Sequence, residues 1–421
     1  MQGKAEARGI LSRLPLFFVD FCPRAFAYSA PRCYNGSGVN TDEKQLNTVP
    51  RMHYVAAFLR NNIVLVVALV AAAVSCCFVP PDGEYVGYFD LRTLSSLFGM
   101  SAVITAMKRQ NVFRALADKL IKRFRTTRSL VAALVAITYL ASMLIANDMA
   151  LLTFLPLGYC ALHAAGKEDK MAYTFTLQTV AANLGGMLTP FGNPQNLYLY
   201  NRFSIPTGEF FRIMIFPTLA AVAAIALLCL FVKREPIESH ADEVASPDKA
   251  KTAVYLVAFA YMIVVVFRVV PYWTAFLVIP LLLVLDRGAL AHADYSLLLT
   301  FCAFFVFTGN LARISAVDAF FRFLLGKSVL LTGVLCCQAI SNVPSAVLLS
   351  GFTSDYARLL VSVNIGGCGT LISSMASVIS FRNFSLYRPG ERLKYLGINA
   401  AVNFMCLVAL TLFCLFVPIY P

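Results

Sequence analysis

Charged residues are scarce in this chain. Only 14% of its 421 residues are Asp, Glu, Lys or Arg, whereas 59% are hydrophobic, and the mean hydropathy is +0.72. A soluble domain carries about 25% charged residues, and a soluble fold of this size could not bury so much apolar surface. The composition therefore excludes a soluble protein. It predicts an all-α polytopic membrane protein, because helices satisfy their own backbone hydrogen bonds in lipid.

Motifs for metal, redox and hydrolytic chemistry are missing as well. The chain has 4 His and 12 Cys, but it contains no CxxC or HExxH pattern, and pairs such as Cys76-Cys77 lie inside apolar runs. Free Cys in such runs behaves as a small apolar residue. The apolar runs also lack paired carboxylates, and none of their Ser or Cys has a His partner. We therefore expect no enzyme activity, no cofactor, and no metal ion other than a coupling Na⁺.

Basic residues outnumber acidic ones by 35 to 22, which gives a net charge of +13. A basic excess can indicate a nucleic-acid-binding protein, but here the Lys and Arg are concentrated in short segments between apolar runs. Positively charged loops are typical of the cytoplasmic side of membrane proteins. The predicted partner is therefore a lipid bilayer, and we expect no nucleic acid.

The apolar runs predict the membrane segments. A single span needs about 20 apolar residues, and runs interrupted by Gly, Asn and Pro cannot form one continuous helix. The predicted single spans are 61–81, 93–107, 210–232, 252–267, 269–285, 295–312 and 395–418. Two runs are hairpin-length, 129–162 and 328–354, and are predicted to enter and leave the membrane on one side. Two further runs, 171–200 and 359–381, are predicted as broken helices.

The distribution of charge supports a topology with the N-terminus in the cytoplasm and the C-terminus outside the plasma membrane. In that topology the cytoplasmic segments hold most of the 35 Lys and Arg, as the positive-inside rule requires. These segments are 1–60, 108–128, 163–170, 233–251, 286–294 and 382–394. The segment 108–128 also alternates apolar and basic residues, which predicts an amphipathic helix at the membrane interface.

The chain carries an internal repeat. Asn183-Leu-Gly-Gly-Met-Leu-Thr189 in the first broken span matches Asn364-Ile-Gly-Gly-Cys-Gly-Thr370 in the second. The first hairpin carries Ala146-Asn147-Asp148 where the second carries Ser341-Asn342-Val343. Span, hairpin, broken span and closing span also follow in the same order in both halves, which makes a chance match improbable.

The two halves also begin alike, since Phe89-Asp90 and Ala293-Asp294 open corresponding spans. The additional span at 252–267 would turn the second copy upside down, and inverted repeats with broken helices are typical of secondary transporters. The predicted domains are an N-terminal extension (1–54), a first repeat (55–232), a cytoplasmic linker (233–251), a connecting span (252–268) and a second, inverted repeat (269–421).

Broken helices expose backbone groups that must be satisfied by protein, water or a ligand. The N–H groups at a half-helix start suit an anion, and unwound carbonyls suit a cation such as Na⁺. An Asn at a hairpin tip supplies both a donor and an acceptor. The predicted substrate and ion site consists of Asn147, Asp148, Asn183, Gly185, Gly186, Gly192, Asn193, Ser341, Asn342, Asn364, Gly366, Gly367 and Thr370.

Each of these residues also has a purely structural interpretation. Glycine pairs let membrane helices pack closely, an Asn can cap a half-helix, and Asp148 could occupy an exposed hairpin turn. For Asp148 an ion or proton role is favoured, because an ionisable group in an apolar run is costly and usually functional. Arg268 and Arg313 lie at predicted span ends and are expected to extend toward the lipid headgroups.

At the hairpins and breaks the sequence resembles the ion transporter superfamily, and more narrowly the citrate-transporter-like anion permeases, which are related to divalent-anion/sodium symporters and arsenite permeases. The strings that carry the resemblance are Ala146–Phe154, Leu188–Leu197, Ser341–Leu349 and Val363–Leu371. The resemblance spans roughly residues 55–421. It implies hairpins entering from opposite sides, a homodimer with a scaffold and a moving transport domain, and coupling of an anionic solute to Na⁺ or H⁺.

The hairpin tips indicate which branch is closest. The divalent-anion/sodium symporters carry Ser-Asn-Thr at both tips, whereas this chain has Ala146-Asn147-Asp148 and Ser341-Asn342-Val343. The Asn-Asp tip is more similar to the citrate, arsenite-permease or Na⁺/H⁺-antiporter branches.

The expected function is secondary active transport of a small anion, either a di- or tricarboxylate or an inorganic oxyanion, by symport with Na⁺ or H⁺. A Na⁺/H⁺ antiporter is the alternative, in which Asp148 exchanges protons for sodium. A passive channel would need a continuous polar pore lining, which the mostly uncharged spans do not supply.

Overall fold

The structure, a computed structural model, describes residues 62–113, 115, 124–237 and 247–417. The predicted extension 1–54, the middle of the segment 108–128 and part of the linker 233–251 lie outside these residues. Contacts divide the chain into a unit of residues 1–67 and a unit of residues 68–421. All packing described below lies within the second unit.

The described residues form 17 α-helices and several short 3-10 helices, without a β-strand. The helices are α1 Ile63–Phe78, α2 Leu91–Arg109, α3 Thr127–Ser142, α4 Asn147–Ala164, α5 Met171–Gly185, α6 Pro194–Arg202, α7 Thr207–Leu230, α8 Lys249–Val266, α9 Val278–Leu285, α10 Arg287–Ala291, α11 Tyr295–Ala312, α12 Ser315–Lys327, α13 Val329–Ile340, α14 Asn342–Leu349, α15 Tyr356–Ile365, α16 Met375–Tyr387 and α17 Arg392–Phe416. The predicted all-α membrane fold is confirmed.

Four helical stretches of the described chain are long and apolar enough to cross a membrane. They are Thr207–Leu230, Lys249–Val266, Arg287–Ala312 and Pro389–Phe416. Each hairpin-length run folds into two helices that pack together, α3 with α4 and α13 with α14, and each broken run also yields two helices, α5 with α6 and α15 with α16. The re-entrant character of the hairpins and the inversion of the second repeat stay predictions.

The aspartates at the start of the two repeats form equivalent hydrogen bonds. The side chain of Asp90 accepts hydrogen bonds from the N–H groups of Arg92 and Thr93 at the start of α2. The side chain of Asp294 accepts one from the N–H of Leu297 at the start of α11, at 3.0 Å. An aspartate at this position satisfies amides that have no partner within the helix. Both aspartates are therefore N-caps.

The predicted span 269–285 is shorter in the structure, where the apolar helical stretch covers Tyr272–Leu285. The structure has a 3-10 helix at Tyr272–Leu277 and then the eight-residue helix α9. Pro271 precedes this segment, and proline restricts the residue before it to extended backbone, which disfavours a helix running through that point. Helix α12 was not predicted from the sequence, because charged residues interrupt its apolar ones. Phe320 and Phe323 are exposed on this helix.

The guanidinium of Arg268 binds backbone carbonyls, which differs from the predicted extension toward the lipid headgroups. Its guanidinium donates to the carbonyl oxygens of Tyr200 and Ile205 and lies 3.9 Å from the centre of the Tyr200 ring. The last carbonyls of a helix lack partners within it, and Arg268 supplies donors to those at the end of α6. Arg313 instead pairs with Asp82 at 2.7 Å.

Candidate substrate and ion site

Two breaks lie at the centre of the molecule. Helix α5 ends at Gly185, and after a 3-10 turn at Gly186–Leu188 the chain enters α6 at Pro194. Helix α15 ends at Ile365, and α16 begins only at Met375. The broken helices predicted from Gly and Pro are therefore present, and almost every residue of the first break is buried.

Equivalent residues of the two breaks form a pair of hydrogen bonds that run in opposite directions between the repeats. Asn183 and Asn364 each lie in the last turn before a break. The Oδ1 of Asn183 accepts from the Ser374 hydroxyl at 2.7 Å, and the Oδ1 of Asn364 accepts from the Nδ2 of Asn193 at 3.2 Å. Asn193 and Ser374 are equivalent in turn, because each immediately precedes the helix that follows its break. The same contact therefore occurs twice, and in each case a residue of one repeat donates to an Asn of the other.

Other amides satisfy the carbonyls of the unwound backbone. The Nδ2 of Asn183 donates to the carbonyl of Gly367 at 3.2 Å, which also crosses between repeats. The Nδ2 of Asn364 donates to the Oδ1 of Asn196 at 2.6 Å, and Asn196 in turn donates to the carbonyl of Gly186 at 3.1 Å. These bonds satisfy carbonyls of the unwound backbone in a buried region, where a carbonyl without a partner would be costly.

The hairpin tips have the same unusual backbone. Ala146 has φ 49° and ψ 142°, and Ser341 has φ 75° and ψ 160°, a region that non-glycine residues rarely adopt. The following residue is Asn in both tips, and its Oδ1 accepts from the next N–H, at 3.0 Å for Asn147 and 2.9 Å for Asn342. The two tips therefore share both the backbone conformation and the local hydrogen bond of their Asn.

Both tips meet the breaks. The Nδ2 of Asn147 donates to the Oδ1 of Asn183 at 3.2 Å. The N–H of Asn342 donates to the carbonyl of Ser373 at 2.9 Å, and the Ser341 hydroxyl lies 3.3 Å from the same oxygen. The sequence-predicted asparagines are therefore brought together in one buried cluster, with both tips and both breaks contributing.

A second pair of equivalent bonds fixes each hairpin to its break. The hydroxyl of Thr189 donates to the carbonyl of Met143 at 2.5 Å, and the hydroxyl of Thr370 donates to the carbonyl of Gln338 at 3.2 Å. Both acceptors lie four residues before a tip Asn. Thr370, a predicted site residue, therefore connects the hairpin to the break through its hydroxyl, and its role in binding a ligand stays a prediction.

The first glycine of each pair serves packing. A Cβ on Gly185 would overlap the backbone carbonyl of Tyr139, and one on Gly366 would lie 2.9 Å from the side chain of Cys337. Each contact joins the helix before a break to the first arm of its hairpin. For Gly185 and Gly366 the structural interpretation therefore applies.

The second glycine of each pair faces the polar cluster. A Cβ on Gly186 would overlap the Oδ1 of Asn193, and one on Gly367 would lie 3.1 Å from the Nδ2 of Asn342. Glycine at these two positions gives the side-chain amides access to the backbone. Gly186 and Gly367 therefore lie beside the side-chain amides of the cluster, and their role in binding a substrate or ion stays a prediction.

Asp148 lies in the first turn of α4, next to the cluster but without a side-chain bond to it. Its Oδ1 is buried and has no hydrogen-bond partner within the described residues. A fully exposed hairpin turn is therefore excluded. A buried carboxylate oxygen without a partner is costly, which points to a proton, a cation or water at this position.

Sequence reasoning missed four residues that hold the cluster together. The missed residues are Asn196, Gln338, Ser373 and Ser374. Aligning Asn364 on Asn183 and continuing through the break would have found Ser374 opposite Asn193. Gln338 carried no such signal, although its Nε2 donates to the carbonyls of Gly366 and Cys368 and its Oε1 accepts from the N–H of Thr370.

The chain is similar in sequence to known membrane transporters. The model of a family described as citrate transporter matches residues 54–362. An uncharacterized transporter of Methanocaldococcus jannaschii is 31% identical over 76% of this chain and 88% of its own length. The inner membrane protein YbiR of Escherichia coli is 27% identical over 70% of this chain and 80% of its own. A silicon efflux transporter of Oryza sativa, LSI3, is 31% identical over 39% of this chain and 34% of its own length.

Proposed function

Because the chain belongs to the citrate transporter family and is an integral membrane transporter, we propose that it is a secondary active transporter of a small anion. The solute is a di- or tricarboxylate or an inorganic oxyanion, and its movement across the plasma membrane is coupled to Na⁺ or H⁺. The N-terminus lies in the cytoplasm and the C-terminus outside. The resemblance of the sequence to such permeases supports a homodimer.

One observation carries this proposal. Two hairpin tips and two breaks, one of each from both repeats, place neutral amides and carbonyls together in a buried cluster. Within the described part of the chain, the Nδ2 of Asn342 donates no hydrogen bond. It is therefore a donor available for a carboxylate or oxyanion oxygen. A site that offers donors on neutral groups binds an anion without a fixed countercharge that would hold it too tightly for release.

The same cluster supports coupling to Na⁺. Its acceptors are carbonyl, amide and hydroxyl oxygens, which are the ligands that hard cations prefer. The Oδ1 of Asn193 is buried and has no partner among the described residues, so it is an acceptor that a cation would satisfy. A cation bound here would also compensate the charge of an anion beside Asn342.

Thermal unfolding of the purified protein with citrate, phosphate, sulfate and arsenate, each with and without Na⁺, tests the proposal. A ligand that binds only the folded state raises the Tm, by roughly 2.7 kcal/mol of stabilisation at 100 times its Kd. We expect one anion class to raise the Tm, and Na⁺ to increase that rise. Choline in place of Na⁺ is the control. A Tm that responds to none of these anions contradicts the proposal.

The Na⁺/H⁺ antiporter is the second candidate, and Asp148 favours it. Its buried, unpartnered Oδ1 is suited to alternate between a proton and a cation. Exchange of Na⁺ inside proteoliposomes for H⁺ outside, measured with no anion solute added, would support this function. A rise of the Tm with Na⁺ alone would agree with it.

Asp148→Asn tests whether Asp148 carries a proton in either candidate function. We expect the variant to insert and fold, because Asn retains the shape of the side chain, but to lose the pH dependence of transport, because its amide cannot take up a proton. Uptake into proteoliposomes between pH 5.5 and 8.5 measures this, with Asp318→Asn as the control, a half-buried aspartate on α12 that pairs with Arg322. A pH profile identical to that of the unmodified protein would remove the proton role of Asp148.

A further inference from the structure

A cavity of about 540 Å³ lies apart from the asparagine cluster. Its walls come from both repeats: the start of α2 and the end of α6 from the first, the end of α11 and the end of α14 from the second. The polar residues that line it include Arg92, Tyr198, Asn201, Arg202, Thr308 and Ser350. Arg92 and Arg202 are exposed, so the cavity reaches the surface of the protein.

Two helices lead from the asparagine cluster to this cavity. Helix α6 starts next to Asn193 and ends at Arg202, and α14 starts at Asn342 and ends just before Ser350. A helix rises about 1.5 Å per residue, so the cavity wall lies roughly 12 Å from the cluster along each helix. The hydroxyl of Tyr198 bonds that of Ser350 at 2.8 Å and ties the two helices together at the cavity.

The charges of the cavity favour an anion. Neither Arg92 nor Arg202 forms an ion pair within the described residues. The acidic residue of the lining is Asp90, and its carboxylate is already bonded to two N–H groups of α2 and to the hydroxyl of Thr93 at 2.6 Å. The lining therefore presents two arginines whose charges have no partner against one carboxylate whose oxygens are occupied.

A contribution to helix stability could explain one of the two arginines but not the other. Arg202 lies in the last turn of α6, where a cation offsets the partial negative charge of the helix end. Arg92 lies in the first turn of α2, where a cation is unfavourable to the helix. Helix stability therefore does not explain Arg92. The buried hydroxyl oxygen of Thr308, also in the lining, has no partner among the described residues.

We propose that this cavity is an anion vestibule, in which Arg92 and Arg202 bind a carboxylate or oxyanion solute before it passes to the hairpin tips. The inference rests on the proposed anion transport and adds a second site to it. Positive charge in a cleft raises the local concentration of an anion and its association rate by about 10-fold or more. The predicted topology places the vestibule on the outer face.

Initial uptake rates of radiolabelled citrate and phosphate into proteoliposomes test the vestibule. For the Arg92→Gln/Arg202→Gln double variant we expect KM to rise about 10-fold when the anion enters from the vestibule face, with kcat within about two-fold. KM from the opposite face should stay unchanged. The Arg→Lys double variant should recover most of the loss, and added salt should raise KM less in the Gln variant than in the unmodified protein.

Arg212→Gln is the matched control, because Arg212 is exposed on α7 and does not line the cavity. A KM unchanged in the double variant, or raised equally by Arg212→Gln, overturns the vestibule while leaving anion transport in place. If the unmodified protein transports neither probe, the proposed function fails first. Equilibrium binding of both probes to the Asn342→Ala variant then tests the vestibule. Binding that is lost when Arg92→Gln/Arg202→Gln is added supports the vestibule. Absence of binding to the Asn342→Ala variant overturns it.

Discussion

Asn342→Ala is expected to abolish transport while the protein still folds and inserts. The side chain of Asn342 is 4% exposed, and its Nδ2 is the donor that no described residue uses. A hydrogen bond to a charged group contributes roughly 1.5–3 kcal/mol, and Ala supplies neither the donor nor the Oδ1 that accepts from the N–H of Val343. Uptake of the anion that raises the Tm measures the effect, and size-exclusion chromatography of the purified variant checks folding.

Asn147→Ala should also abolish transport, because it removes the Nδ2 that donates to the Oδ1 of Asn183 at 3.2 Å and so connects the first tip to the first break. Asn383→Ala is the matched control, since Asn383 is half-buried on α16 and donates only to the carbonyl of Ile379 within its own helix. Normal transport by either tip variant would mean that the asparagine cluster is not the substrate site. Loss of transport in all three variants would indicate a general effect of removing an amide.

The elements of the site could be predicted because local chemistry dictates them. Gly and Pro at 185–194 interrupt a helix whatever surrounds them, and the recurrence of Asn-x-Gly-Gly identifies the second break. The tips were recognisable as polar residues in the middle of apolar runs. Asp90 and Asp294 gave the start of each repeat, since an aspartate before an apolar run is a helix N-cap in either half.

Tertiary partners were beyond reach of the sequence. The bond from Asn193 to Asn364 joins residues that are far apart in the chain, and no local pattern selects one partner for an amide that could bond several. Arg268 shows the same limit, because a cation at a span end satisfies carbonyls as well as it reaches headgroups. Which glycine of each pair packs and which faces the cluster also depends on what lies opposite.

Gly192→Ala is expected to destabilise the first break and to reduce transport strongly. A Cβ on Gly192 would overlap the carbonyl oxygen of Gly186 and lie 2.7 Å from the hydroxyl of Thr189. The Gly186 oxygen is a backbone atom and cannot rotate away, so the break must open. Overpacking of this kind costs about 1–3 kcal/mol. We expect a lower Tm and at least a 10-fold loss of uptake, because Asn193 follows directly and would be displaced.

The second repeat makes this prediction a demanding one. The residue equivalent to Gly192 is Ser373, whose hydroxyl donates to the carbonyl of Gly367 at 2.9 Å. The second break therefore accommodates a side chain at this position. In the first break the backbone of Gly192 lies against the equivalent carbonyl, that of Gly186. Gly208→Ala is the control, because nothing lies within 4 Å of a Cβ there and Ala is the better helix former. If Gly192→Ala and Gly208→Ala behave alike, the first break is not the rigid frame that positions Asn193, and the two repeats hold the solute by different means.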